Sequence, residues 1–177
     1  MKTNRPPFTS FPILVNNRII LREVLESDYD QLIEISFYDG IQAKEIIDTK
    51  TMNERIRNDY LSGNSIHWLI TSVTTGEVLG TGGFYRGFQN RIGEIGYVLK
   101  KVHQGKGYMT EALNLILNFG WEKLELLAIK GVTSTYNQAS KNVLWKSGFK
   151  ESETINDEVV FLISSPDKTQ NKKSPVG

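Results

Sequence analysis

The clearest chemical signal in the chain is the run His103-Gln104-Gly105-Lys106-Gly107-Tyr108-Met109-Thr110. It leads directly into Met109, Ala112, Leu113, Ile116, Leu117 and Gly120, which recur at the spacing of one helix face. A helix start leaves its first amide hydrogens unpaired and carries partial positive charge. A Ser, Thr, Asp or Asn just ahead of the helix ordinarily occupies those donors. Here the preceding residues are Gly105, Lys106 and Gly107. Glycine lets a bulky anion come close to the backbone, and Lys106 adds a positive charge. These are the requirements of a phosphate cradle. Taken alone, the run also reads as a glycine-rich turn joining two elements. Two familiar nucleotide loops do not fit. No stretch matches Gly-x-x-x-x-Gly-Lys-Ser/Thr, and the third position of Gly-x-Gly-x-x-Gly/Ala is Thr110 after Gly105 and Gly107, and Tyr85 after Gly80 and Gly82.

The elements that must position this loop are legible from periodicity. Arg18 to Val24 reads as a strand, and Ser27 or Asp28 as the cap of a helix to about Ser36. Thr51 to Leu61 reads as a second helix with Met52, Ile56, Tyr60 and Leu61 on its apolar side. Ile66 to Val73 and Val78 to Tyr85 form a hairpin, and Arg91 to Leu99 a third strand. After the loop and its helix come a strand over Ala128 to Tyr136, a helix over Ala139 to Ser147 and a last hairpin, Lys150 to Ile155 with Val159 to Ile163. Gly80-Thr81-Gly82-Gly83 suggests a strand bulge or the approach of a substrate. Trp68, Trp121 and Trp145 suit core or half-buried packing. This order predicts one α+β (mixed α/β) domain over residues 1–165, with a central mixed, mostly antiparallel sheet of about six or seven strands flanked by about four helices. Residues 166–177 have the composition of a disordered tail.

Composition narrows the function. The net charge of +1 offers no basic stripe for nucleic acid. The chain has no cysteine, which removes disulfides, thiolate metal sites and a cysteine nucleophile, and its two histidines are not at a metal-ligand spacing, so no metal is expected. No segment reads as a signal peptide or a membrane span, so the expected location is the cytoplasm, with no membrane partner.

The stretch Glu94-Ile95-Gly96-Tyr97, followed by Gln104-Gly105-Lys106-Gly107-Tyr108-Met109-Thr110-Glu111-Ala112-Leu113, resembles the acetyl-CoA signature of the GNAT superfamily of N-acetyltransferases, Gln/Arg-x-x-Gly-x-Gly/Ala. Gln104 and Gly107 match its first fixed positions. Met109 departs where a small residue is usual, which implies that backbone makes the close approach and Met109 turns away. Asn137-Gln138-Ala139-Ser140 with Gly148-Phe149 resembles the family's second cofactor segment. The resemblance spans about Arg18 to Ile163. Within the superfamily it is closest to the Rim-type acetyltransferases of ribosomal-protein N-termini, through Leu21-Arg22, the Gly-Tyr of the central strand and the Asn-Gln-Ala-Ser run.

The resemblance implies a GNAT-like fold and an acetyl-CoA-dependent enzyme in which an amine attacks the thioester directly. Backbone groups of Tyr97, Val98 and Leu99 would hold the pantetheine and acetyl carbonyl. Gln104, Gly105, Lys106, Gly107, Tyr108, Met109 and Thr110 would hold the pyrophosphate. Glu94 is the candidate base, with a strand carboxylate, a partner for Arg91, or a water chain as alternatives. Many relatives use a tyrosine to protonate the thiolate. Its position here is Leu144, so the nearest hydroxyl is Ser140, which is either that acid or a cofactor and helix contact. Asn137 suits both a pantetheine amide and a helix cap, and Lys141 and Asn142 would reach the phosphates. The acceptor would be a peptide N-terminus, with a small amine such as an antibiotic, polyamine or amino acid as the rival. A CoA-binding module without turnover is a further alternative. The resemblance places the acceptor pocket between 41–61 and 155–160, and Asp39, Glu45 and Asp48 suit a cationic acceptor or a plain surface loop. Oligomeric state leaves no trace in the sequence.

Overall fold

The computed structural model describes residues 4–166. The tail expected at 166–177 therefore lies outside the described residues, Pro166 excepted. The chain runs β1 (Leu14–Val15), β2 (Ile19–Arg22), β3 (Phe37–Tyr38), β4 (Ile41–Gln42), α1 (Ile46–Leu61), β5 (Ile66–Ser72), β6 (Val78–Tyr85), β7 (Ile92–Leu99), α2 (Tyr108–Glu122), β8 (Ala128–Ser134), α3 (Gln138–Lys146), β9 (Lys150–Ile155) and β10 (Glu158–Ser164). One eight-stranded sheet has the order β1-β2-β5-β6-β7-β8-β10-β9, and β3-β4 is a separate small ribbon. Every pair in the large sheet is antiparallel except β7 with β8.

The mixed, mostly antiparallel fold matches the expectation from the element order, with β1 as an additional strand. The first helix differs. Two 3-10 turns, Glu26–Gln31 and Ile33–Ile35, stand where an α-helix is expected, and they accompany the three α-helices α1, α2 and α3. The cause is Asp28. Instead of capping a helix from its own position, its carboxylate accepts the Leu25 amide at 2.8 Å and both guanidinium nitrogens of Arg22 at 2.8 Å. The second helix starts earlier than Thr51. Asp48 accepts the amides of Lys44 and Glu45 and so closes the first turn of α1, which places two residues expected in a loop at a helix start.

The two faces of the sheet are covered differently. On one face, α2 buries Met109, Ala112, Leu113, Ile116 and Leu117 against Trp68, Phe84, Ile95 and Phe161, and Leu144 of α3 joins the same core. Each large apolar side chain withdrawn there contributes about 2 kcal/mol. On the other face a smaller cluster of Leu32, Ile35, Leu69 and Val78 lies beside α1. The buried residues of α1 itself are Thr49 and Asn53, and Asn53 bonds back to the Thr49 carbonyl. Met52, Ile56 and Tyr60 are only half-buried and Leu61 is exposed, so they do not form the apolar seam that their spacing suggests. A helix with a polar underside does not seal onto the sheet, and a cavity remains beneath it. Trp68 and Trp121 are buried, whereas Trp145 is partly exposed above Phe161.

Candidate active site

β7 and β8 pair from Ile92↔Ala128 only as far as Ile95↔Gly131, although β7 continues to Leu99 and β8 to Ser134. The strands part beyond that point and leave a wedge in the sheet. The backbone pattern shows which groups face it. Lys100 donates its amide to Leu79 on β6, while Arg91 offers its carbonyl to Leu127 on the opposite side. Strand alternation then directs the backbone of Tyr97 and Leu99 into the wedge and that of Val98 toward β6. The three residues expected to hold pantetheine thus divide: Tyr97 and Leu99 present backbone to the wedge, and Val98, whose backbone is turned to β6, lies on the wall of two cavities and packs against the smaller apolar cluster.

The wedge opens into a groove of about 380 Å³. Its wall gathers Tyr97, Val98, Leu99, Gln104, Gly105, Gly107, Met109, Thr110, Asn137 and Ser140, residues drawn from two separated blocks of sequence. At its far end stands the head of α2. Gly107 is the N-cap at φ 84° with no side-chain cap, and Gly105 also has positive φ, 75°. No acceptor among the described residues meets the amides of Tyr108, Met109 or Thr110. The donors inferred from the sequence are therefore left without a protein partner at the groove's end. Met109 does turn its side chain into the core, where it is 4% exposed. Gln104 donates from Nε2 to the Leu99 carbonyl at 3.2 Å and so ties the loop to the end of β7.

Lys106 and Tyr108 do not line the groove. Lys106 is exposed, and its carbonyl accepts Arg18 Nη2 at 3.3 Å. Tyr108 carries the Arg18 guanidinium 4.5 Å from its ring centre and meets His103 edge-on at 6.3 Å. Arg18 also pairs with Glu111, which accepts Asn16 Nδ2 at 3.0 Å. Glu111 is the acid of the first turn of α2, and this clamp from the start of β2 joins partners 93 residues apart and has no local signature.

On α3, Asn137 caps the helix by accepting the Ser140 amide at 3.0 Å. Ala139, Ser140, Asn142, Val143 and Lys146 face the groove. Lys141, expected to reach the phosphates, instead donates to the Thr135 carbonyl at 2.8 Å, and the cation on the groove wall is Lys146. Leu144 is buried at 1% exposure against Gly131, so Ser140 supplies the one α3 hydroxyl on the groove wall.

Two further cavities lie beyond the groove. A chamber of about 170 Å³ beneath α1 shares Tyr97 and Val98 with it. The chamber wall is formed by uncharged side chains including Ser36, Asn53, His67, Thr81 and Tyr85. Burial lowers His67 to about 4 and pushes the Tyr85 phenol up, so both are neutral near pH 7. Beyond it, a wide mouth of about 940 Å³ shares Phe37, Tyr85 and Gly96 with the chamber. Glu94 lies on the mouth, with its side chain 12% exposed. It is paired with Arg86 and lies 2.9 Å from Lys130 Nζ, whereas Arg91, its expected alternative partner, donates to the Glu125 carbonyl.

Comparison with known proteins agrees with this geometry. Residues 18–150 match the family described as acetyltransferase (GNAT) domain. An uncharacterized N-acetyltransferase of Bacillus subtilis (strain 168), YoaA, is 32% identical over 149 residues, covering 80% of this chain and 84% of the relative. Among solved structures, a putative ribosomal-protein-serine acetyltransferase from Vibrio cholerae superposes with a TM-score of 0.76 at 17% identity, covering 90% of this chain and 99% of the other. Spermidine N-acetyltransferase from Vibrio cholerae does so with a TM-score of 0.71 at 15% identity, covering 89% and 100%. A split sheet facing an uncapped helix head is thus joined to sequence kinship over most of the chain, and the protein belongs to the GNAT family as an acetyl-transferring N-acetyltransferase.

Proposed function

We propose that the chain moves an acetyl group from acetyl-CoA to the N-terminal amine of a protein, of the ribosomal-protein kind, by direct attack of the amine on the thioester. The observation that carries this reading is a series of adjoining cavities, the groove at the uncapped head of α2, an uncharged chamber and a charged mouth, each sharing lining residues with the next. The residues fit the cofactor. Amides of 108–110 suit a diphosphate, and the backbone edge of Tyr97 and Leu99 suits a pantetheine laid along it like an added strand. Fixed donors of this kind are worth about 3 kcal/mol each when charge develops on a carbonyl oxygen in a water-poor site.

The acceptor enters from the mouth and presents its amine at the point where chamber and groove meet, beside Tyr97 and Val98. Glu94, on the mouth, receives the ammonium proton through water. Nitrogen then bonds to the acetyl carbon, the carbon–sulfur bond breaks, and Ser140 faces the departing sulfur. The chamber favours a peptide terminus over a polyamine because no carboxylate lines it, and a second ammonium drawn into it would find no counter-charge. The polyamine reading draws on Asp39, Asp59 and Glu158 at the mouth.

Intact-mass screening decides between these readings. Peptides beginning with Ala, Ser or Met, incubated with acetyl-CoA, are expected to gain one acetyl group, and Glu94→Gln to slow that gain by about tenfold or more. Acetylation confined to polyamines or other small amines would overturn the peptide assignment, and an undiminished rate in E94Q would assign the proton to solvent.

A further inference from the structure

We propose that Tyr97 is a positioning residue, which aims the Ser140 hydroxyl at the leaving sulfur by exchanging one hydrogen bond. The inference rests on the reading that the thioester lies beside Ser140. It adds a role for a tyrosine whose backbone alone had a place in the cofactor grip.

The tyrosine that many relatives supply from the third helix is absent, and its position is filled by buried Leu144. A phenol reaches α3 from the strand side instead. The Tyr97 hydroxyl lies 3.0 Å from Ser140 Oγ and donates to the Ser140 carbonyl at 3.1 Å. Tyrosine has one hydroxyl proton, and a carbonyl can only accept. While that proton is held by the carbonyl, the contact to Oγ must be donated by Ser140, whose hydrogen then points to Tyr97. As negative charge builds on sulfur, the Ser140 O–H turns to it, and Tyr97 transfers its donation from the carbonyl to Oγ. Two hydroxyl rotations suffice, with no movement of heavy atoms.

The arrangement is suited to this exchange. The Ser140 amide is fixed by Asn137 at 3.0 Å, so the serine backbone cannot drift as the bonds change. Burial pushes the Tyr97 phenol up to about 12, so it remains a neutral donor wherever an acceptor amine is free to attack. The charged groups on the groove wall reduce to Lys146, and no carboxylate lines it to compete for the serine hydrogen. A hydrogen bond to a thiolate is charge-assisted and stronger than the neutral one it replaces. The pair transfers no proton. The electron pair of the broken carbon–sulfur bond leaves on sulfur as thiolate, and the proton shed by the amine leaves through the mouth.

The test is a double-mutant cycle of Tyr97→Phe and Ser140→Ala, read as kcat and as KM for acetyl-CoA. Each single variant is expected to lose about tenfold in kcat, with KM changed by no more than about twofold, and the double variant to be no slower than S140A. S140T, which keeps a hydroxyl, retains activity beside Tyr97 and loses it when combined with Y97F. A Tyr97 that merely braces β7 against α3 would raise KM, and its effect would multiply with that of S140A. That outcome, or full kcat in Y97F beside a tenfold loss in S140A, overturns the positioning role and leaves the acetyl-transfer reading standing. Full kcat in both single variants overturns the placement of the thioester as well.

Discussion

Gly107→Val is expected to lower CoA affinity by about a hundredfold or more, close to 3 kcal/mol, while the protein stays folded. Two effects act in the same direction. Gly107 caps α2 at φ 84°, a conformation that a β-branched residue strongly resists. Forcing one residue into it costs about 1–2 kcal/mol and tends to rotate the following amides out of alignment. The added side chain also meets little protein. A Cβ at Gly107 lies 4.0 Å from Arg18 Nη1 and nothing nearer, so the added bulk stands in open space at a residue of the groove wall, where it is expected to crowd a diphosphate. Folding is spared because Gly107 is exposed and makes no core contact. Calorimetric titration with CoA reads the effect, and thermal melting checks the fold. Lys106→Gln is the informative control. Lys106 stands in the loop where a charge is expected to help the cradle, but it does not line the groove. Its affinity is expected to stay within about threefold of the parent. Unchanged binding in G107V, or collapse of binding in K106Q, would contradict the cradle as described.

Gly83→Ala is expected to destabilise the fold by about 3 kcal/mol or more, the upper end for an overpacked site. A Cβ at Gly83 would sit 2.1 Å from the Ile66 carbonyl oxygen and 2.7 Å from His67 Cα. Both are backbone atoms of the neighbouring strand, so relief requires β5 and β6 to part. Gly82→Ala next to it meets Ile116 Cδ1 and Tyr97 Cβ at 3.4 Å and the Gly96 carbonyl oxygen at 3.7 Å, ordinary contact distances, and is expected to cost under about 1 kcal/mol. Urea unfolding midpoints of the two variants distinguish a requirement for close backbone approach from a general intolerance of substitution. Of the bulge or substrate approach expected of the glycine run, a bulge stands just before it, at Leu79, where Ile70 pairs with Gly80 and Thr71 with Val78, and at Gly83 it is the backbone of β5 that comes close. Equal losses in the two variants would contradict this account.

What could be read in the sequence follows the range of the forces involved. α2 was legible because its apolar face and its bare glycine head are both local. β5, β6 and β7 were legible because their alternation and turns are local too. Asp28 misled because its partner Arg22 converts a capping residue into the buried anchor of a 3-10 turn. The strands Phe37–Tyr38 and Ile41–Gln42 are too short to carry any periodicity. The cofactor blocks were identified by motif, but their relative placement was not, because the wedge depends on where the parallel pairing of β7 with β8 stops. The exchange of Lys141 for Lys146 shows the same limit. Both lie on α3, and only the register of that helix against the groove decides which cation faces it. Tyr97 is the clearest case. Its backbone role came from strand position, whereas its hydroxyl meets α3 from 43 residues away.

The central claim is that amide hydrogens at the head of α2 are free to bind a diphosphate. Diffraction from crystals of this protein grown with CoA tests it directly. The account predicts phosphate oxygens within about 3 Å of the amides of Tyr108 to Thr110, with pantetheine running beside Tyr97 and Leu99. Density for the pyrophosphate away from the α2 head, with those amides bound to water or to a protein side chain, would contradict it.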